Sequence, residues 1–156
     1  MAVSEIIGAA VGILLLVIVA YIVVGSTLTA AETVATAQKD LSLQNEARLG
    51  TSIVINRSEI SNTTSELDFS ITNNGNEIIS DFSHMDIYTW KGAPGQGYVN
   101  NVFGTGWTID HIDPDFIHPM QLDPGEKMWV RLKFDTDKPV WLQVTTANGV
   151  YASAYV

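Results

Sequence analysis

Apolar and polar positions divide this chain into two unlike parts. Residues 6–25, IIGAAVGILLLVIVAYIVVG, run without a charge or a strongly polar group. At about 1.5 Å of rise per residue they predict a helix roughly 30 Å long, the thickness of a bilayer's hydrocarbon core. Residues 26–49, STLTAAETVATAQKDLSLQNEARL, contain no Pro or Gly and are rich in Ala, Gln, Glu and Leu, which favour helix. Within them Val34, Ala37, Leu41 and Leu49 make a thin apolar stripe at about helical spacing. Gly50 reads as the stop. One helix from Ser4 to Leu49 would be roughly 69 Å long. Only its first half can lie in lipid; the second must stand against its own head domain or neighbouring copies.

From Ser52 the period changes to two. The stretches SIVIN, LDFSIT, HMDIYTW, KMWVRLKF, PVWLQVTT and VYASAYV alternate or run apolar and are rich in Val, Ile, Thr and aromatics, which predicts strands. Shorter candidates lie at 77–80, 98–103 and 107–112. Asn73-Asn74-Gly75 and Asp123-Pro124-Gly125 read as turns, and Asn148-Gly149 as a two-residue hairpin. Short strands at this spacing predict an antiparallel sandwich. The expected core is Trp90, Trp129, Trp141, Phe69, Phe82 and Phe134 with Ile53, Ile55, Leu67, Ile71, Ile87, Val130, Leu132, Leu142 and Val144. The predicted class is α+β: a long N-terminal hydrophobic α-helix over 1–50, followed by an antiparallel Ig-like β-sandwich over 51–156.

Composition sharpens this division. No Lys, Arg or His precedes residue 39, and the only carboxylates before it are Glu5 and Glu32. Of 14 aromatic residues, 13 lie at or beyond Phe69. A cleavable signal peptide would carry a basic leader and a shorter apolar stretch, so a retained membrane-competent helix fits better. The net charge of −9 argues against a counterion-driven grip on nucleic acid. The absence of Cys excludes disulfides, thiolate metal sites and Cys nucleophiles. Glu5, at the front of the apolar helix, has two readings. It sits at the membrane interface, favoured by the helix N-terminal dipole, or it pairs with the α-amine of an adjacent subunit during assembly.

The densest polar cluster is Asp110-His111-Ile112-Asp113-Pro114-Asp115-Phe116-Ile117-His118. Its residue types suit calcium or a transition metal. However, it lacks the regular oxygen ligands and central Gly of a calcium loop, and its His spacing does not share a helix face. It therefore reads as a polar surface loop. His84 lies at the start of a strand and reads as an exposed or partly packed side chain. No nucleophile elbow, S-x-x-K, dinucleotide or phosphate-loop motif occurs, and the carboxylates form no evident acid–base pair. The reading is a protein without catalysis, cofactor or metal. Two N-glycosylation triplets, at Asn56 and Asn62, fall in what reads as a polar loop after the first strand; their use would require an extracellular head.

A short N-terminus with Glu5, an apolar helix that extends past the membrane and a C-terminal sandwich together resemble the archaeal type IV pilin-like proteins. Within that group the chain resembles the archaellin superfamily: the filament archaellins and their accessory relatives ArlF and ArlG. The stretches LDFSITNNGNEIISDFSHMDIY, QLDPGE and VTTANGV carry the likeness. The resemblance implies a non-enzymatic extracellular filament subunit, a helical homopolymer whose helices bundle as the core and whose sandwiches form the sheath. Its partners would be other copies, the archaellum or pilus assembly machinery and, before assembly, the membrane. Glu5 would neutralise a neighbour's terminus, Gly8 and Gly12 would permit close approach, and Ile13 and Leu16 would be buried between copies. One departure is that no basic leader precedes Ile6. Either it was removed before Met1 or it never existed, and the latter resembles the accessory proteins, implying a membrane-anchored stator whose head grips the cell envelope or surface layer. A third class, a tethered module holding a sugar or an ion through 110–118, would be exposed by titration.

Overall fold

The computed structural model describes residues 2–61, 65–92, 95, 97–135 and 137–156. Among the described residues, one helix, α1 (Ala2–Gly50), is followed by eight strands: β1 (Ile53–Ser61), β2 (Glu66–Asn73), β3 (Asp86–Trp90), β4 (Val99–Asn101), β5 (Trp107–Asp113), β6 (Lys127–Lys133), β7 (Trp141–Thr145) and β8 (Tyr151–Tyr155). The chain forms two compact units, Met1–Leu43 and Gln44–Val156, so the last helical turns belong with the strands.

α1 stays helical through its Ser- and Thr-rich part because those hydroxyls are satisfied by the helix itself. Ser26 and Thr27 donate to the Val23 carbonyl at 3.0 and 2.7 Å, Thr29 to that of Gly25, Thr33 to Thr29 and Thr36 to Glu32. Such back-bonding removes the incentive for these residues to seek partners outside the helix.

The strands form two antiparallel sheets. The first has the order β1-β2-β6-β5 and the second β4-β3-β7-β8. This is the immunoglobulin-type arrangement, with β4 as the added strand beside β3. Alternation places one face of each sheet inward. Leu67, Phe69 and Ile71 of β2 and Met128, Val130 and Leu132 of β6 meet Ile87 of β3 and Leu142 and Val144 of β7 in one buried cluster.

The same alternation corrects part of the expected core. With Met128, Val130 and Leu132 pointing in, Trp129 falls on the outer face, and Trp90 and Trp141 do likewise on the second sheet, all three half-buried; Ile55 and Phe134, also half-buried, do pack against the core. The tryptophan that fills the core is Trp107, 1% exposed, its ring 4.7 Å from that of Phe103. Residues 77–80 form no strand, only an isolated bridge from Ile79 to Leu122. The β7–β8 connection is also longer than two residues. Thr146 N–H donates to the Val150 carbonyl and Gly149 N–H to that of Thr146, which leaves three residues in the loop, with Gly149 at φ 81°.

Candidate functional site

The apolar part of α1 meets the length and composition needed to cross a membrane, and none of it is buried by the rest of the chain. Ile13 and Leu16 are 65% and 70% exposed. Glu5 lies in the first turn, where the unpaired N–H groups of the helix favour an anion. A Cβ built on Gly8 or Gly12 would meet nothing within 4 Å, so any close approach there must be made by another molecule. Val34, Leu41 and Leu49 are exposed as well, which leaves the thin stripe uncovered.

Within the second unit, the end of α1 is locked to one end of the sandwich. Thr51 Oγ1 donates to the Ala47 carbonyl at 2.8 Å, and Asn148 Nδ2, from the β7–β8 loop, donates to Thr51 Oγ1 at 2.7 Å. The N–H groups of Asn76 and Glu77 both reach the Gly50 carbonyl, and that of Asn74 reaches Ser52. These bonds bring Gly75 so close that a Cβ there would lie 2.3 Å from the Gly50 oxygen, which is why this turn needs glycine. Buried Asn73 completes the joint by donating through Nδ2 to the carbonyls of Glu77 (2.7 Å) and Leu122 (3.0 Å).

The 110–118 cluster divides between a strand and a loop. Asp110 to Asp113 belong to β5, and only the residues from Pro114 on form a loop. His111 stacks on Trp129 with centroids 5.8 Å apart and contacts Asp110 at 2.8 Å. His118 contacts the buried Asp123 at 2.9 Å. The two histidines therefore serve different neighbours, and among the described residues no three His, Cys, Asp or Glu side chains converge as a metal site would require. The loop tip is also not polar: Phe116, Ile117 and Met120 are all exposed. Arg131, on the outer face of the first sheet, binds Asp68 at 3.1 Å and Asp110 at 3.2 Å; those carboxylates raise its already high pKa, first through the Asp68 hydrogen bond. Exposed Asp81 accepts from Ser83 Oγ and contacts His84 Nδ1 at 2.7 Å, and these bonds hold its carboxyl below the usual range.

Asn56 sits inside β1 rather than in a loop. It is exposed and donates to Thr72 Oγ1 at 2.6 Å, beside a register irregularity between Ile55 and Ser58. Asn62 lies outside the described residues.

Solved structures share this fold, and two of them are archaellum stator proteins. The archaellum periplasmic stator protein FlaG from Sulfolobus acidocaldarius superposes with a TM-score of 0.53 at 18% identity, over 68% of this chain and 99% of that one. A chain of the archaellum periplasmic stator protein complex FlaF and FlaG from the same organism gives 0.51 at 19% identity, over 67% of this chain and 87% of that one. At such identities the likeness establishes the fold. No family model matches the sequence, and no curated protein does.

Proposed function

We propose that this chain is a non-enzymatic accessory protein of an archaellum, of the stator type: anchored in the membrane by α1, with the sandwich outside acting on the envelope. The observation that carries this reading is that the match takes in nearly the whole of a periplasmic stator protein. The apolar, unburied first half of α1 supplies the anchor such a head requires. The second matching structure is a complex of two stator proteins, which supports a partner protein in the same space; that the surface layer is the fixed structure to be gripped is part of the proposal. Glu5 then lies at the membrane interface, and Gly8 and Gly12 offer a place for a second helix to approach. The filament-subunit reading, first in order from the sequence alone, is the less supported of the two, because both named neighbours are stator proteins.

Immunogold electron microscopy on intact cells, with an antibody against residues 51–156, tests the proposal. Gold at the envelope and filament base is expected. Gold along the full length of the filaments would make this the polymer subunit instead.

A further inference from the structure

Among the surfaces of the sandwich, the outer face of the second sheet has the most specialised chemistry. Register places Trp90, Trp141 and Tyr155 side by side across β3, β7 and β8, and Tyr88 beside Gln143 in the next row. Strands lie about 4.8 Å apart, so the three-ring row is roughly 10 Å wide. From the chain just before β4, Tyr98 stands against Trp141 with centroids 5.4 Å apart and planes at 61°. The two rings make a corner rather than a flat stack. Tyr88, Tyr98, Trp141 and Gln143 line a cleft of about 400 Å³ there, within the roughly 300–1,000 Å³ typical of small-molecule sites.

What this corner would hold follows from what it presents. Among the described residues its apolar surfaces are all aromatic, and each carries a polar edge: a phenol hydroxyl, an indole N–H or, beside them, the Gln143 amide. None of the three register rows from Asp86 to Trp90 contributes Leu, Ile, Val or Met to the outward face. None contributes a cation, and the one carboxylate, Asp86, already accepts from Asn100 Nδ2 at 3.3 Å, two rows from Trp141. A ligand for this surface has flat C–H faces to lie on rings and a rim of hydroxyls to meet amide and phenol. It carries no negative charge, since a site without cations among the described residues, on a chain of net charge −9, repels anions. A sugar ring has these properties.

We propose that the Tyr88–Tyr98–Trp141–Gln143 corner is a binding site for a neutral glycan, one sugar ring packing on Trp141 and against Tyr98 while the Trp90–Trp141–Tyr155 row receives the adjoining rings. The site is separate from the 110–118 stretch, which belongs to the other sheet, and the inference does not rest on the archaellum reading.

The test uses the full chain in phospholipid nanodiscs, free of sugar-headed detergent, titrated with maltohexaose, cellohexaose and chitohexaose while tryptophan fluorescence is followed. Saturable binding of at least one is expected, weakened at least about tenfold in Trp141→Ala and unchanged in Trp129→Ala, on the other sheet. Tyr98 is 68% exposed, so Tyr98→Ala keeps the test valid if Trp141→Ala unfolds. Three silent titrations with folded protein would overturn the proposal, as would equal weakening by Trp129→Ala. Saccharide-independent dimerisation, seen by sedimentation and lost in Trp141→Ala, would also overturn it and assign the face to a second copy.

Discussion

At the scale of single residues, two kinds of position separate sharply. Trp107 fills the centre of the sandwich, so Trp107→Ala removes a large buried ring and leaves a cavity; a loss of about 3–5 kcal/mol is expected. Trp129→Ala strips a half-buried ring from the outer face and should cost distinctly less, with chemical unfolding of the full chain as the measurement for both. Gly75 illustrates the opposite constraint, where added atoms do the damage. A methyl group there must push against the Gly50 carbonyl and the Ser52 N–H, so Gly75→Ala should destabilise the head by about 1–3 kcal/mol. Asp81 adds a pH dependence of predictable sign. Its carboxyl is held low by Ser83 and His84, so its contribution is present above the unfolded carboxylate range and fades as pH falls through its own lower value. The gap in unfolding midpoint between the parent chain and Asp81→Asn should therefore shrink between pH 7 and about pH 3.

At the scale of elements, the helix and most strands were legible from periodicity because each has a single dominant pattern. An uninterrupted apolar run followed by helix-forming residues accounts for α1, and period two marks β1, β2, β3, β6, β7 and β8 well. Positions were lost where bulk hydrophobicity was ranked above that period. Alternation through Met128, Val130 and Leu132 already requires Trp129 to face outward, yet its size suggested core. Trp107 was missed from the core although 107–112 read as a strand, because a register irregularity between Ile109 and His111 breaks the alternation that would have marked its inward face. The joint between α1 and the sandwich was illegible, because Asn148 and Thr51 are 97 residues apart and only the fold brings them together. The aromatic corner was likewise hidden, because Tyr98, just before β4, and Trp141, on β7, meet only across the intervening β3. The helix itself yields a direct expectation. A charge at the middle of the apolar run costs about 2.5–3.5 kcal/mol at bilayer depth, so Ile13→Asp should move a large share of the chain out of the carbonate-resistant membrane fraction. The head should stay folded, with its tryptophan fluorescence unchanged, because Ile13 makes no part of the sandwich core. Full membrane retention of Ile13→Asp would show that the anchor tolerates the charge by pairing it with another helix.

At the scale of the whole molecule, the two units divide the work that a stator reading requires: one holds the membrane and the other holds something fixed. A device that resists torque must also carry force between these ends. α1 continues past Leu43 into the second unit, and there the Asn148–Thr51 bond and the Asn76 and Glu77 N–H bonds to the Gly50 carbonyl fix its last turn to the sandwich. Replacing residues 28–43 by a Gly/Ser segment of equal length separates a force-carrying connection from a plain tether. Such a linker is a flexible coil with a root-mean-square span of about 20–24 Å, comparable to the helix it replaces, so both ends can still reach their sites. The apolar span and the clamped joint are left intact. Under the stator reading, membrane recovery and head folding should match the parent chain, while the fraction of swimming cells and their speed fall. Undiminished swimming, with the variant present at parental level, would show that the head needs only to be tethered. The rigid joint would then serve the stability of the sandwich rather than the passage of force.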